Sequence, residues 1–454
     1  MSQHLDEIAF ARTVVGPGPD VTEALQTTPR PVPSNVRNLT TLGLGLGVAA
    51  AAFGLFTSTE RTMGVILTCL VYFIGVSQGG VLLSVASTVT LGRWQRPFKR
   101  IGESFGANLP ILWGLWLLFL IVGLLGGPSP YEWAHEEMHG HKAIYLNPAF
   151  HFGRQVVCLG ILFTLDMLFI RNSLRPDLGA AAEKLGSAAP TWWSRFTVGW
   201  QGRAAEVETA YQRNIKLGPV IIVTYAITFT MFAVDSVMSL APHWYANMFP
   251  AWIFVSSFWV SLSWVCMTAV LSAKWLKIEH LLGLSNFHDL GKLMFALGVF
   301  WTYTLFAQIL PIWYGNMPEE TSFLLLRIYS STWSPLAKVV IAMCFLIPFS
   351  VLLSRGIKKM PRALAVVGGV IATGVFLERF LLVMPQVWKE DSLPIGVVEI
   401  GVLIGFVSLF VKVVSTVLSQ VPPVPFTDPF MNPNPNDVHV HAAGDHGHGE
   451  HAHA

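Results

Sequence analysis

Long apolar runs separated by short polar breaks make up most of the chain. A helix needs about 20 apolar residues to cross the hydrocarbon core of a bilayer, because each residue adds only about 1.5 Å. Ten runs satisfy this pattern: Leu39–Thr57, Met63–Leu91, Phe105–Leu125, Phe150–Ile170, Leu217–Val237, Met248–Ala273, Leu293–Tyr314, Trp333–Leu353, Leu364–Val383 and Pro394–Leu418. The pattern predicts an all-α integral membrane protein with about ten transmembrane helices.

Composition supports the same class. Hydrophobic residues make up 53% of the 454 residues and charged residues only 12%, whereas soluble domains carry roughly 25% charged residues. The net charge is only +2, so no strong basic field indicates a nucleic-acid partner. The expected surroundings are therefore a lipid bilayer, and the placement of individual charges matters more than their sum.

Lysine and arginine gather in alternate loops, as expected for a multi-pass protein whose basic loops stay in the cytoplasm. Six basic residues lie on the other side, between runs or near the start of one: Arg61, Lys142, Arg154, Arg327, Lys338 and Lys389. We expect both termini to be cytoplasmic. The domain prediction is a cytoplasmic arm at 1–38, a membrane domain at 39–420, and a Pro-rich then His-rich disordered tail at 421–454, which is either merely flexible or a weak transition-metal ligand.

Cysteine and histidine positions give no sign of a resident metal or haem site. The four cysteines all lie inside apolar runs without Cys-x-x-Cys spacing, which disfavours an iron–sulfur cluster or an ordinary zinc site within this chain. The histidines lie in arms, loops or the ends of runs, where they could not face one another across a membrane haem. We therefore expect no metal ligands and no covalently bound cofactor.

Ionisable residues at membrane depth are costly and usually have a partner or a role. We expect Glu378, Asp235 and Asp166 to form an acidic proton relay, with the neighbouring Arg379 controlling the charge of a carboxylate. Further residues near the predicted outer surface are candidates for the edge of a pocket or a proton exit: His135, Glu136, Arg154, His243, Arg379 and Glu399. For most single loop residues, ordinary hydration is the simpler interpretation.

Four stretches carry a resemblance to a known family. They are YEWAHEE, KAIYLNPAFHFGRQ, AVDSVMSLAPHWYANMF and FHDLGKLMFALGVFWTYTLFAQILPIWYGNMPEET. They resemble the ActF-type quinone-binding subunit 2 of alternative complex III, a branch of the NrfD-like superfamily that includes the polysulfide reductase membrane subunit. The likeness covers about Leu39 to Leu418. It implies two four-helix bundles, helices two to five and six to nine, flanked by one helix at each end.

The resemblance also implies a role and partners. The expected role is a haem-free membrane subunit of a quinol:electron-acceptor oxidoreductase in the bacterial inner membrane, supporting the oxidation of menaquinol or another quinol and contributing a proton route. Haem and iron–sulfur clusters would lie in partner subunits, namely a periplasmic iron–sulfur subunit and a multihaem cytochrome c, beside a sister NrfD-like subunit and small membrane-anchored subunits. The alternatives are a membrane anchor of another NrfD-type reductase, such as a polysulfide or molybdenum enzyme, a purely structural anchor, or a secondary transporter.

Overall fold

A computed structural model describes residues 29–134, 142–428 and 430–431. Within these residues the chain is helical and contains no strand. Ten helices are long and apolar enough to span a membrane, as the sequence predicts: α1 Ser34–Thr57, α2 Thr59–Val89, α3 Arg96–Leu124, α4 Pro148–Ala188, α5 Arg203–Leu240, α6 Phe249–Leu276, α7 Leu284–Gly315, α8 Ser334–Leu352, α9 Pro361–Val387 and α10 Val397–Gln420. Shorter helices are Lys142–Tyr145, Pro318–Ile328 and Arg355–Lys358.

The spanning helices form two bundles. Helices α2 to α5 pack together, helices α6 to α9 pack together, and the bundles meet where α2 lies against α6 and α9. Helix α2 is buried along almost its whole length, so it forms the centre of the molecule. Gly79 permits this packing, because a Cβ atom there would lie 2.6 Å from the Cβ atom of Ser261 on α6.

Helices α1 and α10 pair with each other beside the bundles. Their backbones approach closely at glycines, since a Cβ atom on Gly47 would lie 2.3 Å from the Cα atom of Gly405. Small residues at a crossing let two membrane helices gain dispersion contacts along their backbones. The arrangement of two bundles with one flanking helix at each end is therefore confirmed.

Successive helices alternate in direction, so their connections lie on two faces. We call the face with the α2–α3 and α4–α5 connections the basic face, and the other the opposite face. Both ends of the described chain lie on the basic face, where the backbone N–H of Arg30 donates to the carbonyl oxygen of Ser419 at 2.9 Å.

Three helices extend further into the basic face than the apolar runs predict. Helix α3 begins at Arg96 rather than Phe105, α4 continues past Ile170, and α5 begins at Arg203 rather than Leu217. The polar extensions are stable because their charges pair with one another. Arg175 on α4 and Glu206 on α5 form a two-pronged ion pair with both distances at 2.7 Å.

Residues 421–428, at the start of the predicted tail, pack against the membrane domain. Residues Val421 to Thr427 are buried. Asp177 of α4 accepts from the backbone N–H of Thr427 at 2.9 Å, and Asp428 accepts from Arg96 at 2.7 Å and Lys99 at 2.9 Å. These bonds hold the segment against α3 and α4. The His-rich part of the tail and residues 1–28 of the predicted arm at 1–38 lie outside the described residues, and the arm's last residues, from Ser34, belong to α1.

Candidate functional site

Glu378 is buried in the second bundle, about two turns before the end of α9, with 1% of its surface exposed. One carboxylate oxygen accepts a hydrogen bond of 2.8 Å from the indole N–H of Trp301 on α7. The other contacts the guanidinium of Arg379, the next residue. Both carboxylate oxygens therefore face donors.

Arg379 ties this carboxylate to α6. Its Nη2 atom donates to the hydroxyl of Ser256 at 2.6 Å and to the carbonyl oxygen of Ile253 at 3.2 Å. The serine and the carbonyl both lie on α6, so three helices, α6, α7 and α9, fix the carboxylate. We call Glu378, Arg379, Trp301 and Ser256 the Glu378 cluster. The sequence-based pairing of Arg379 with a carboxylate agrees with this geometry.

A cavity of about 430 Å³ lies beside Glu378, between α6, α7, α8, α9 and the loop helix, as we call Pro318–Ile328. This volume is within the range of small-molecule sites, roughly 300–1,000 Å³. Its aromatic lining residues are Trp244, Phe249, Trp252, Trp301 and Phe323, and its polar ones are Glu378, Gln308, Arg327, Ser334 and Lys338. Such a site suits an apolar ring that carries polar groups at its edge.

The cavity reaches the lipid-facing surface at α8. Leu346 lines the cavity and is nevertheless 54% exposed, and Ile341 is 38% exposed. A π-helical turn, Ala342–Leu346, interrupts α8 here: Ile341 directly precedes it and Leu346 is its last residue. Such wide turns recur at functional sites because they displace side chains from regular helical packing. A lipid-soluble molecule could therefore reach the cavity from the bilayer.

One wall of the cavity is a layered stack. The rings of Trp244 and Phe323 lie parallel with their centroids 3.8 Å apart, and the guanidinium of Arg327 lies 3.4 Å from the centroid of Phe323. Flat aromatic and guanidinium surfaces attract one another and planar ligands through their π-systems.

Arg327 is held by backbone carbonyls instead of a carboxylate. Its guanidinium donates to Leu381 at 3.0 Å and Leu382 at 2.8 Å on α9. The carbonyl of Leu381 is available because its usual donor four residues on is Pro385, which has no N–H. Burial lowers the pKa of Arg327 to about 9, so it stays charged at neutral pH. No carboxylate of the described residues forms an ion pair with it.

Asp235 lies in the first bundle, near the end of α5 at the opposite face. Its Oδ1 atom accepts from Arg154 at 2.9 Å, and its Oδ2 atom accepts from Gln155 at 2.7 Å. Gln155 in turn accepts from the indole N–H of Trp116 at 3.2 Å. We call these four residues the Asp235 cluster. Arg154, expected at a pocket edge, is thus the ion-pair partner of a predicted relay residue.

Asp166 lies in the middle of α4 and is completely buried. The apolar run Phe150–Ile170 would place it near the end of the helix, but α4 continues well beyond Ile170. Gln78 of α2 lies next to it, yet neither carboxylate oxygen has a hydrogen-bond partner among the described residues. Asp166 is therefore not connected by hydrogen bonds to Asp235 or Glu378, and the three predicted relay residues occupy separate places.

Of the other predicted residues, Glu399 and His243 lie away from the cavity wall. Glu399 accepts from Arg61 at 2.6 Å and from the N–H of Gly396 at 2.9 Å, so it caps α10 and ties it to α2. His243 is exposed, while its neighbour Trp244 lines the cavity. His135 and Glu136 lie outside the described residues.

Sequence reasoning missed Gln308 and the role of Arg327. Gln308 is an amide within an apolar run, a signal of the kind that identified Glu378. In the sequence, Arg327 is only one basic residue of a loop. Its burial depends on the carbonyl of Leu381, which lacks its usual helical donor because Pro385, more than fifty residues later in the chain than Arg327, has no N–H.

No protein-family model matches the chain, and no curated protein is similar to it. The part of the chain described by the structure contains no group of three or more His, Cys, Asp and Glu side chains placed to hold a metal ion. What the geometry offers is a lipid-accessible aromatic cavity with a carboxylate at one end and a guanidinium in its wall. Such a site can bind a planar apolar ring and accept a proton from it.

Proposed function

We propose that this chain is the membrane subunit of a quinol:electron-acceptor oxidoreductase of the alternative complex III type, in the bacterial inner membrane with both termini in the cytoplasm. The observation that carries the proposal is the position of Glu378 in the wall of a lipid-accessible aromatic cavity. The resemblance of the helical region to quinone-binding subunit 2 proteins supports the same assignment.

In this function the cavity binds the ring of menaquinol or another quinol. The aromatic wall holds the ring, and Glu378 accepts the proton of one ring hydroxyl while Trp301 and Arg379 stabilise the carboxylate before transfer. Oxidation of a quinol to a quinone releases two protons and two electrons; Glu378 takes one proton, and the proton of the other hydroxyl passes to water. The electrons pass to the haem or iron–sulfur centres of partner subunits, as the resemblance implies.

Replacing Glu378 by Gln tests the role of the carboxylate. The amide keeps the shape of the side chain and can still accept from Trp301, but it cannot take a proton. We expect quinol oxidation by the purified complex to fall by about a hundredfold or more, while quinone affinity changes by less than about tenfold. Unchanged turnover would remove Glu378 from the mechanism.

Glu399→Gln is the matched control, because Glu399 is also a buried acid, 5% exposed, whose partners are Arg61 and a helix N-terminus. This variant should retain turnover. If both variants lose activity equally, the effect reflects general damage to buried acids and contradicts the assignment. If the unmodified chain binds no quinone, the proposed function fails altogether.

The composition of the native complex provides an independent test. Purification in mild detergent should yield this chain with c-type haem, an iron–sulfur protein and a second NrfD-like subunit, identified by haem spectra and mass spectrometry. A molybdenum reductase in the preparation would favour the NrfD-type anchor. A solitary, haem-free protein would favour the transporter.

A further inference from the structure

The cavity has a second polar end that the proton chemistry at Glu378 does not use. Gln308 is 7% exposed and lines the cavity, and its Oε1 atom has no hydrogen-bond partner in the described part of the chain. An unpaired polar atom in a buried site costs free energy unless a ligand or water satisfies it. The neighbouring lining residues of α7, Leu305 and Ile309, are apolar, so the amide of Gln308, once turned towards the cavity, is the group on this part of the wall that a ligand can contact.

The two polar ends are separated along α7. Gln308 follows Trp301, the hydrogen-bond partner of Glu378, by seven residues on the same helix. At about 1.5 Å per residue, the two positions are about 10 Å apart along the axis. They lie on the same face of α7, since seven residues are close to two full turns. This spacing leaves room for one ring with a hydrogen bond at each end.

Arg327 belongs to the same distal end. Three backbone carbonyls, those of Phe323, Leu381 and Leu382, fix its guanidinium. A guanidinium has five N–H groups, so donors remain beyond these three bonds. The carbonyls of Leu381 and Leu382 lie one turn of α9 beyond Glu378, towards the opposite face. Arg327 therefore presents a fixed cation on the same side of Glu378 as Gln308.

We propose that Gln308 and Arg327 form a second anchor that binds the ring oxygen remote from Glu378, so that the cavity selects rings with oxygens at two opposite positions. This inference rests on the proposed function and adds the feature of the ligand that is selected. The Gln308 amide can rotate to accept from a quinol hydroxyl or to donate to a quinone carbonyl. Arg327 donates in both cases, so the anchor fits both redox forms.

The test compares two probes on the full-length protein in detergent. One is a short-chain naphthoquinone held in its reduced, quinol form, and the other is the corresponding naphthol, whose single ring hydroxyl can donate to Glu378. Binding is measured by isothermal titration calorimetry. The unmodified protein should prefer the naphthoquinone by about tenfold or more, the usual effect of one hydrogen bond that involves a charged group.

Gln308→Leu and Arg327→Lys should each reduce this preference by weakening naphthoquinone binding and leaving naphthol binding nearly unchanged. Arg327→Lys keeps the charge but cannot reproduce the fixed fork of donors. If this variant does not fold, Gln308→Leu still decides the question, because its Oε1 atom holds no other element in place.

Thr304→Val is the matched control, one turn away on α7. Thr304 is fully buried, and its hydroxyl donates within the helix, to Phe300 and Trp301. It should keep the full preference. Equal weakening of both probes in Gln308→Leu, or an unchanged preference, would overturn the second anchor. The proposed function would survive that result if naphthoquinone binding still depends on the cavity.

Discussion

The two bundles bury similar polar components and use them differently. In the first, the carboxylate of the Asp235 cluster is bonded directly to an arginine and, through Gln155, to a tryptophan. In the second, the Glu378 cluster joins a carboxylate, an arginine and a tryptophan directly. Both carboxylates lie near the opposite-face end of the last helix of their bundle. Only Glu378 lines the 430 Å³ cavity.

The difference shows that a buried charge alone does not identify a functional site. Asp235 accepts from Arg154 and Gln155 within a packed interior, and Arg154 also stacks on the ring of Tyr145 at 3.9 Å. Such a pair holds α4 and α5 together, and neither residue lines the 430 Å³ cavity. Glu378 has comparable partners, but it also lines the cavity. The cavity therefore separates the two interpretations.

The largest expected effect is on stability in the first bundle. Asp235→Ala leaves the guanidinium of Arg154 buried without its anion, and breaking such a pair costs about 3–5 kcal/mol. Glu378→Gln also removes the anion beside a buried guanidinium, but it should cost less, because the amide oxygen still accepts from Trp301 and Arg379 keeps its bonds to Ser256 and Ile253. Unfolding in detergent, followed by circular dichroism with denaturant, measures both.

The double variant Asp235→Leu with Arg154→Met is the control, since it removes both charges together. It should recover much of the lost stability, because an apolar pair of similar volume often replaces a buried ion pair at little cost. A loss below about 1 kcal/mol in Asp235→Ala would mean that Arg154 is solvated, and the contrast between the bundles would disappear.

The sequence is sufficient for the number and approximate positions of the spanning helices, because membrane insertion requires long apolar runs. It also identifies Glu378, Arg379 and Asp235 as residues with buried charge. It is not sufficient for the cavity. The position of Gln308 relative to Trp301 matters only once Glu378 is known to bond Trp301, and Arg327 is buried because tertiary packing brings it to α9.

Hydropathy also could not predict where α3, α4 and α5 begin or end on the basic face. Arg100 lies between Glu103 and Asp177 and contacts both, so polar residues that read as a loop are buried helix. In the sequence, charged residues that pair between α3 and α4 cannot be distinguished from charged residues that are hydrated in a loop. The burial of Val421–Thr427 has the same origin, since its partners lie on α3 and α4.

A smaller effect of opposite sign is expected at Asp166. Its carboxylate is buried without a hydrogen-bond partner in the described chain, and such a group costs about 1–3 kcal/mol. Asp166→Leu should therefore stabilise the protein by about that amount in the same unfolding assay. If Asp166 belongs to a proton relay, the variant will gain stability and lose proton release by the complex.

Asp166→Leu must be compared with Asp235→Leu, the equivalent change at a fully partnered carboxylate, which should destabilise. Opposite signs would confirm that partners, and not burial, determine the energetic role of these acids. Destabilisation of both would show that Asp166 has a partner in the native complex.

The smallest expected effect is a local dependence on pH at the basic face. Burial alone would raise the pKa of Asp428, but Arg96 and Lys99 outweigh it and hold that pKa below its ordinary value. A carboxyl with a lowered folded-state pKa contributes stability above its unfolded pKa of about 4, and loses this contribution as the pH falls towards the folded value.

Residues 421–428 should therefore keep full hydrogen-exchange protection, corrected for intrinsic rates, at pH 5 and above, and lose it gradually below about pH 4. Asp428→Asn should lower protection at neutral pH and remove this part of the acid dependence, because the amide carries no charge to pair with Arg96. Equal protection in the two proteins from neutral to acid pH would show that Thr427 and the buried apolar residues hold the segment without the ion pair.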